Sequence, residues 1–163
     1  MIFVILGTQK FQQNRLLRML DECKERGEIS DEMIAQSGYS DYEPRHIVCH
    51  RFLEKSIFES YIDEADVVVS HAGVGSIMTA LEKEKPVVVF PRLAKYGEHV
   101  DDHQEDIARA FAGKGYILFC GETDSLPQLI EKAKNHRFSK YTSQTGRIVD
   151  LIESFLQSNF PDG

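Results

Sequence analysis

The stretch "SHAGVGS" at residues 70–76 sets one histidine, two glycines and a serine between two apolar runs. These residue types suit an anion site. Gly73 and Gly75 let the backbone turn sharply and come close to a ligand. Ser76 stands where it could cap a following helix, whose first N–H groups, around Gly75 to Ile77, have no partner inside the helix. With the helix dipole they make a place for negative charge, and a pyrophosphate fits it. The competing reading is a tight strand-to-helix connection that holds nothing, since short glycine-rich turns are common. The run is neither a P-loop, lacking Lys-Ser/Thr after the last glycine, nor the full G-x-G-x-x-G fingerprint.

A second cluster, "GEHVDDHQ" at 97–104, gathers His99, Asp101, Asp102 and His103. With His71 these residue types could build a metal site. No zinc spacing is matched, and a helix starting here would not bring the four side chains to one point. The other reading is polar recognition. Asp102, His103 and Gln104 would start a helix at the mouth of the site and hydrogen-bond sugar hydroxyls, with Asp101 or Asp102 capping that helix. A third segment, "GTQ" at 7–9, also follows an apolar run.

The elements that must hold these loops alternate along the chain. Residues 2–6, 33–38, 46–50, 66–70, 86–90 and 116–120 read as strands. Runs such as "IFVIL" and "PVVVF" have the unbroken apolar character of strands buried on both faces. Helical spacing covers 11–27, ending at Gly27, and then 56–65, 75–84, 101–115, 125–135 and 143–156. Ser56 with Glu59 reads as a capping box opening the second of these helices. Strands alternating with helices predict an α/β, doubly wound parallel sheet. In such a sheet, ligands bind beyond the carboxyl ends of the strands where the strand order reverses. "GTQ", "SHAGVGS" and "PRLAKYGEHVDDHQ" all leave strands at that end.

The bulk properties set limits. The 163 residues match one ordinary domain, 1–163. Apolar content of 42% and charged content of 28% are those of a globular chain. A net charge of −7 argues against broad binding to nucleic acid or anionic lipid. Cys23, Cys49 and Cys120 are odd in number and far apart, which fits a reducing cytosol better than a disulfide framework. "MIFVILGTQK" has no basic flank, and its apolar run is too short for a signal peptide or a membrane span. The expectation is a cytoplasmic protein whose membrane contact is peripheral or made through a partner.

From "VILGT" to "GYILF", and most specifically in "SHAGVGSIMTALEKEKPVVVFPR" followed by "GEHVDDHQ", the sequence resembles the donor-binding half of glycosyltransferase family 28. The likeness is closest to short stand-alone bacterial members in capsule and exopolysaccharide synthesis. It is also similar to the small catalytic subunit of the eukaryotic two-part dolichol-linked N-acetylglucosaminyltransferase. The resemblance implies a Rossmann-like domain, one half of a GT-B enzyme that closes over a cleft. It implies a UDP-sugar as substrate, with no cofactor and no metal. On this pattern Gly73, Gly75 and Ser76 receive the diphosphate, and Gly7 and Thr8 lie close to it. Phe52 and Leu53 match positions near the uracil, and His103 and Gln104 match positions that hold the donor sugar. The family often has a glutamate near the middle of the helix after the turn, bonding the ribose hydroxyls. Here Thr79 stands in its place, with Glu82 three residues on.

The activity so implied is inverting transfer of a hexosyl group from the UDP-sugar to a lipid-linked saccharide. The helix start would stabilise the departing UDP, with Arg92 or Lys95 adding to it. His71 is the candidate catalytic residue of this chain, or else it only orients the turn. The general base is expected from a partner. Two GT-B halves need roughly twice a domain of about 100–150 residues. The acceptor half is therefore expected on a second, membrane-anchored polypeptide that holds this chain at the inner face of the membrane. An isolated half with an exposed cleft could also pair with itself. Two other classes compete: a nucleotide-sugar-binding protein without transfer, and a metal-dependent hydrolase using His71, His99 and His103.

Overall fold

A computed structural model describes residues 1–141, so the helix expected at 143–156 lies outside the described residues. Six strands form one sheet: β1 (Ile2–Ile5), β2 (Met33–Gln36), β3 (Val48–His50), β4 (Val67–Ser70), β5 (Val87–Val89) and β6 (Leu118–Phe119). Their order is β3-β2-β1-β4-β5-β6 and every pairing is parallel. The expected doubly wound α/β sheet is therefore present. Its order is that of nucleotide-binding Rossmann sheets, in which successive crossovers run outward from β1 in two directions.

The apolar runs become strands because both faces are covered. One layer joins Ile2, Val4, Leu6, Val67 and Val69 to Leu16, Leu17 and Leu20 of α1 (Asn14–Glu25) and to Ile130 of α5 (Leu126–Asn135). The other joins Phe3, Ile5, Val68, Val87 and Val89 to Ile62 of α2 (Lys55–Glu64), Ile77 and Leu81 of α3 (Val74–Glu82), and Ile107 and Phe111 of α4 (His103–Gly113). Strands β1, β4 and β5 are buried at every position, whereas edge strand β3 leaves Val48 and Cys49 exposed. The loop expected after β5 contains a short 3-10 turn at Ala94–Tyr96.

Helix starts differ from the sequence expectation. Helix α2 begins at Lys55 with extended Glu54 in the capping position, so Ser56 is already inside it and no capping box forms. The Leu53 N–H is held by Gln36 Oε1 at 3.0 Å, which turns the chain into the helix before Ser56 is reached. Helix α1 begins at Asn14 rather than at residue 11. The preceding residues are occupied by loop bonds such as Gln13 N–H to Ser40 Oγ at 2.8 Å. Ser125 does cap α5, accepting the N–H of Gln128 at 3.4 Å.

Candidate functional site

An all-parallel sheet brings every strand's carboxyl end to one edge. There the loops after β1 and β4 flank the point where the strand order reverses. His71 leaves β4 into that gap. Its backbone N–H bonds Ile5 O at 3.2 Å, and the residue is buried, 5% exposed. A Cβ built on Gly7 would stand 2.6 Å from His71 Nε2, and one built on Gly73 would stand 2.5 Å from Cε1. The imidazole thus occupies the space that side chains at both positions would need. This is why Gly73, whose φ of −69° any residue could adopt, has to be glycine. Gly7 needs its freedom twice over, because its φ is +79°. Between them Ala72 is held at φ +78°, a left-handed conformation uncommon outside glycine and costing about 1 kcal/mol.

Burial and the neighbouring Arg92 guanidinium disfavour the charged imidazole, and its pKa falls to about 3. At neutral pH His71 is therefore an uncharged hydrogen-bonding group, poor as a proton acceptor. Its Nδ1 lies 3.4 Å from Gln104 Oε1.

Helix α3 starts beside this ring. Gly73, not Ser76, occupies the cap position, and no side chain caps the helix among the described residues. Ser76 sits within the first turn, because the chain becomes helical as soon as it clears His71. The Ile77 N–H closes the first helical bond to Gly73 O at 3.1 Å. That leaves the N–H groups of Val74, Gly75 and Ser76 as the helix's open donors. Gly75 is exposed, and a Cβ there would meet nothing within 4 Å among the described residues. The surface over this helix start is thus open for an anion to approach. One turn on, the Thr79 hydroxyl donates to Gly75 O at 2.8 Å, so it is occupied within its own helix.

The loop after β5 is built from side chains. The Arg92 side chain is 1% exposed and donates through Nη2 to the carbonyls of Leu6 and Phe11, clamping both ends of the segment that carries Gly7 and Thr8. Its Nε and Nη1 have no hydrogen-bond partner among the described residues, and burial lowers its pKa to about 10. Glu98 is fully buried. It accepts from Arg15 Nε at 2.7 Å, from Arg15 Nη2 at 3.1 Å and from the Leu93 N–H at 3.0 Å. The Arg15 guanidinium lies between the rings of Phe90 and Tyr96, 4.3 and 4.4 Å from their centroids. Gln12 and Gln13 add bonds to the carbonyls of Tyr96 and Phe90.

The expected roles of this loop shift accordingly. Lys95 Nζ pairs with Glu122 at 2.7 Å on the surface, away from the turn, and Arg92 serves the loop after β1. Asp102 holds the capping position of α4, but its carboxylate accepts the Ala94 N–H at 2.8 Å. Asp101 instead accepts the His103 N–H at 3.0 Å, and its two oxygens lie 3.3 and 3.4 Å from His99 Nδ1 and His103 Nδ1. His99 also packs its ring on Phe11, with centroids 4.7 Å apart. His71 faces Gln104 rather than these two histidines, and no group of three or more His, Cys, Asp or Glu among the described residues could hold a metal ion.

The structure brings Gly7, His71, Gly73 and Gln104 into one contact group. Thr8 and Gly75 are exposed beside it, and His103 is half-buried at the start of α4. Phe52 and Leu53 sit at the same sheet edge but after β3; Phe52 meets Tyr39 and Arg51, while Leu53 packs on the core and its N–H bonds Gln36. Phe52 and Tyr39 are 49% and 41% exposed and meet edge to face at 5.4 Å. The Arg92 clamp, the Arg15–Glu98 pair and Tyr39 were not singled out from sequence. An arginine three residues past a buried strand, "VVVFPR", is the one local sign of the clamp.

The glycosyltransferase family 28 C-terminal domain matches residues 1–155. The chain is 28% identical over 99 residues to the UDP-N-acetylglucosamine transferase subunit ALG13 of Candida albicans, covering 61% of this chain and 32% of that protein. It is 38% identical over 63 residues to the subunit of the same name from Saccharomyces cerevisiae, covering 39% and 29%. The matched region thus spans about a third of the length of these curated relatives. Among solved structures, a glycotransferase of kitacinnamycin superposes with TM-score 0.61 at 18% identity, covering 93% of this chain and 38% of that one. MurG of Acinetobacter baumannii superposes with TM-score 0.56 at 21% identity, covering 94% and 49%. These superpositions give the fold: a Rossmann-like unit equivalent to one half of a GT-B glycosyltransferase.

Proposed function

This chain belongs to glycosyltransferase family 28, and from that premise we propose that it is the donor-binding catalytic subunit of an inverting UDP-sugar glycosyltransferase. The observation that carries the reading is the open start of α3. The N–H groups of Val74, Gly75 and Ser76 are the helix's open donors, and a Cβ on Gly75 would meet no described residue within 4 Å, at the reversal point of a parallel sheet. In this reading the diphosphate of the donor takes those N–H groups, with Gly73, Ser76 and the Gly7–Thr8 loop around it. The aromatic surface of Phe52 and the neighbouring Leu53 serve the uracil. His103, at the mouth of the crevice, serves the sugar, and Thr79 contributes shape more than ribose hydrogen bonds. The donor is substrate, and no cofactor or metal is needed. The relatives' names make UDP-N-acetylglucosamine the first donor to test.

The acceptor hydroxyl attacks the anomeric carbon from the side opposite the diphosphate, its proton passes to a general base, and the bond to the phosphate oxygen breaks with its electron pair going to UDP. The helix start stabilises the charge that develops there. His71 contributes as a neutral group beside it, and the base comes from the acceptor-binding partner. We place the acceptor among lipid-linked saccharides, as in capsule or exopolysaccharide assembly, and the partner in the membrane. No described helix of this chain is long and apolar enough to cross one. The chain would then work at the cytoplasmic face through that partner.

Labelled UDP-N-acetylglucosamine supplied to the chain with and without its co-purified membrane partner tests this. Transfer to lipid by the pair and none by the chain alone is expected. Transfer by the chain alone removes the partner from the account, and no transfer by a pair that binds donor favours a nucleotide-sugar-binding protein.

A further inference from the structure

Gln104 has a place in the structure that sugar binding does not explain. It is 7% exposed, and its Oε1 lies 3.3 Å from the Arg92 backbone nitrogen and 3.4 Å from His71 Nδ1. A backbone N–H can only donate, so the Gln104 atom facing Arg92 has to be the amide oxygen. An oxygen facing Nδ1 then requires the proton of the neutral ring to be on Nδ1. Only one nitrogen of a neutral imidazole carries a proton, so Nε2 is left as a bare acceptor. That nitrogen points into the gap between the loops after β1 and β4, where a Cβ on either Gly7 or Gly73 would lie 2.6 Å from it. An ionised phosphate oxygen offers no proton to such an atom; a hydroxyl does.

We propose that Gln104 is a positioning residue: its carbonyl oxygen locks His71 as the Nδ1–H tautomer, so that Nε2 faces the crevice as an acceptor for a hydroxyl of the bound nucleotide sugar. The tautomer follows from these two contacts of Gln104 in a neutral ring. The hydroxyl rests on the reading of the crevice as a donor site. The Arg92 clamp supports the lock, because the residue whose N–H fixes Gln104 is also the one whose guanidinium fixes the loop carrying Gly7.

Nitrogen-15 spectra of the histidine rings test both parts on the whole chain. Without ligand, His71 is expected to show a protonated Nδ1 and an unprotonated Nε2 at neutral pH; the reverse assignment overturns the proposal. Gln104→Leu removes the oxygen and is expected to shift the proton partly or wholly to Nε2, whereas Gln104→Glu, which keeps an oxygen in place, retains Nδ1–H. A folded Leu variant that keeps Nδ1–H overturns the lock. Should the Leu variant not fold, the Glu variant carries the test, and loss of Nδ1–H there overturns the lock.

UDP, which has only ribose hydroxyls, and UDP-N-acetylglucosamine, which adds those of the sugar, separate the two sources. A shift of Nε2 with UDP identifies the ribose, and a shift with the nucleotide sugar alone identifies the sugar. A proton appearing on Nε2 with either ligand means a phosphate contact and overturns the hydroxyl assignment. So does an unmoved Nε2 when the Gly75 and Ser76 amides respond. If those amides do not respond to either ligand, the donor-site reading fails and takes the hydroxyl assignment with it, while the tautomer lock still stands or falls by the ligand-free spectrum.

Discussion

The turn after β4 and the loop after β5 flank the same crevice and are built in opposite ways. The turn is backbone: two glycines, a strained alanine and a helix start whose N–H groups face outward. Its one large side chain, His71, fills the space between Gly7 and Gly73. The loop is side chain: a buried carboxylate, two arginines and two glutamines tie it to the segment after β1. The difference teaches a division of labour. A surface meant to receive an anion has to keep its own donors unpaired. That leaves it little with which to hold itself, so the neighbouring loop supplies the rigidity through its bonds to the segment after β1.

The contrast can be broken most strongly at Glu98. Glu98→Ala leaves Arg15 and the Leu93 N–H without their acceptor and should cost about 3 kcal/mol by urea denaturation, the low end for a broken buried pair because Arg15 is partly solvated. Donor affinity should fall as the loop loosens, although Glu98 is paired with Arg15 of α1 and the Leu93 N–H. Unchanged stability would mean that the loop is held by something else.

A comparable loss should come from acid. The pKa of His71 falls from 6.5 to about 3 on folding. Its contribution to stability is therefore complete above about pH 6.5 and drains away as the pH falls toward 3, because only the unfolded chain takes up the proton. Stability should drop by about 1.4 kcal/mol per pH unit in that window from this group alone. His71→Gln should flatten the slope there, and an equal slope in the variant would show that His71 is not the group responsible.

The two glycines of the turn should respond in opposite directions. Gly73→Ala pushes a methyl group into the His71 ring and should cost about 1–3 kcal/mol as well as donor affinity. Gly75→Ala meets open space at a helical position and should leave the fold unchanged or stabilise it by about 0.5–1 kcal/mol. Equal effects at the two positions would remove the distinction between spacer and landing surface. The smallest effect on stability is expected at Phe52, which is half exposed. Phe52→Ala should change stability by less than about 0.5 kcal/mol while weakening UDP.

Much of this was legible in the sequence. Unbroken valine runs such as 67–69 and 87–89 suit strands buried on both faces, and the alternation of elements pointed to the winding. The glycines at 73 and 75 marked the turn, but not that one clears a ring while the other leaves space for a ligand, because both read as flexible backbone. Helix starts misled for a related reason. Ser56 and Ser76 have cap chemistry, yet the chain turns helical earlier, pulled by Gln36 in one case and by the packing of His71 in the other. The clamp by Arg92 and the Arg15–Glu98 pair join residues 81 or more apart in sequence and leave no local pattern. Gln104 could be matched to a sugar contact by resemblance, but only its burial between Arg92 and His71 showed what its carbonyl oxygen touches.

The central claim is that the open helix start at Gly75 binds the diphosphate of a UDP-sugar. Calorimetric titration of the chain with UDP and UDP-N-acetylglucosamine, beside a Gly75→Asp variant, tests it most directly. Binding by the wild type at millimolar concentration or below, weakened at least tenfold in a variant that stays folded, is the predicted result. A wild-type chain that ignores UDP at millimolar concentration, or a folded variant that binds it equally well, would contradict the account.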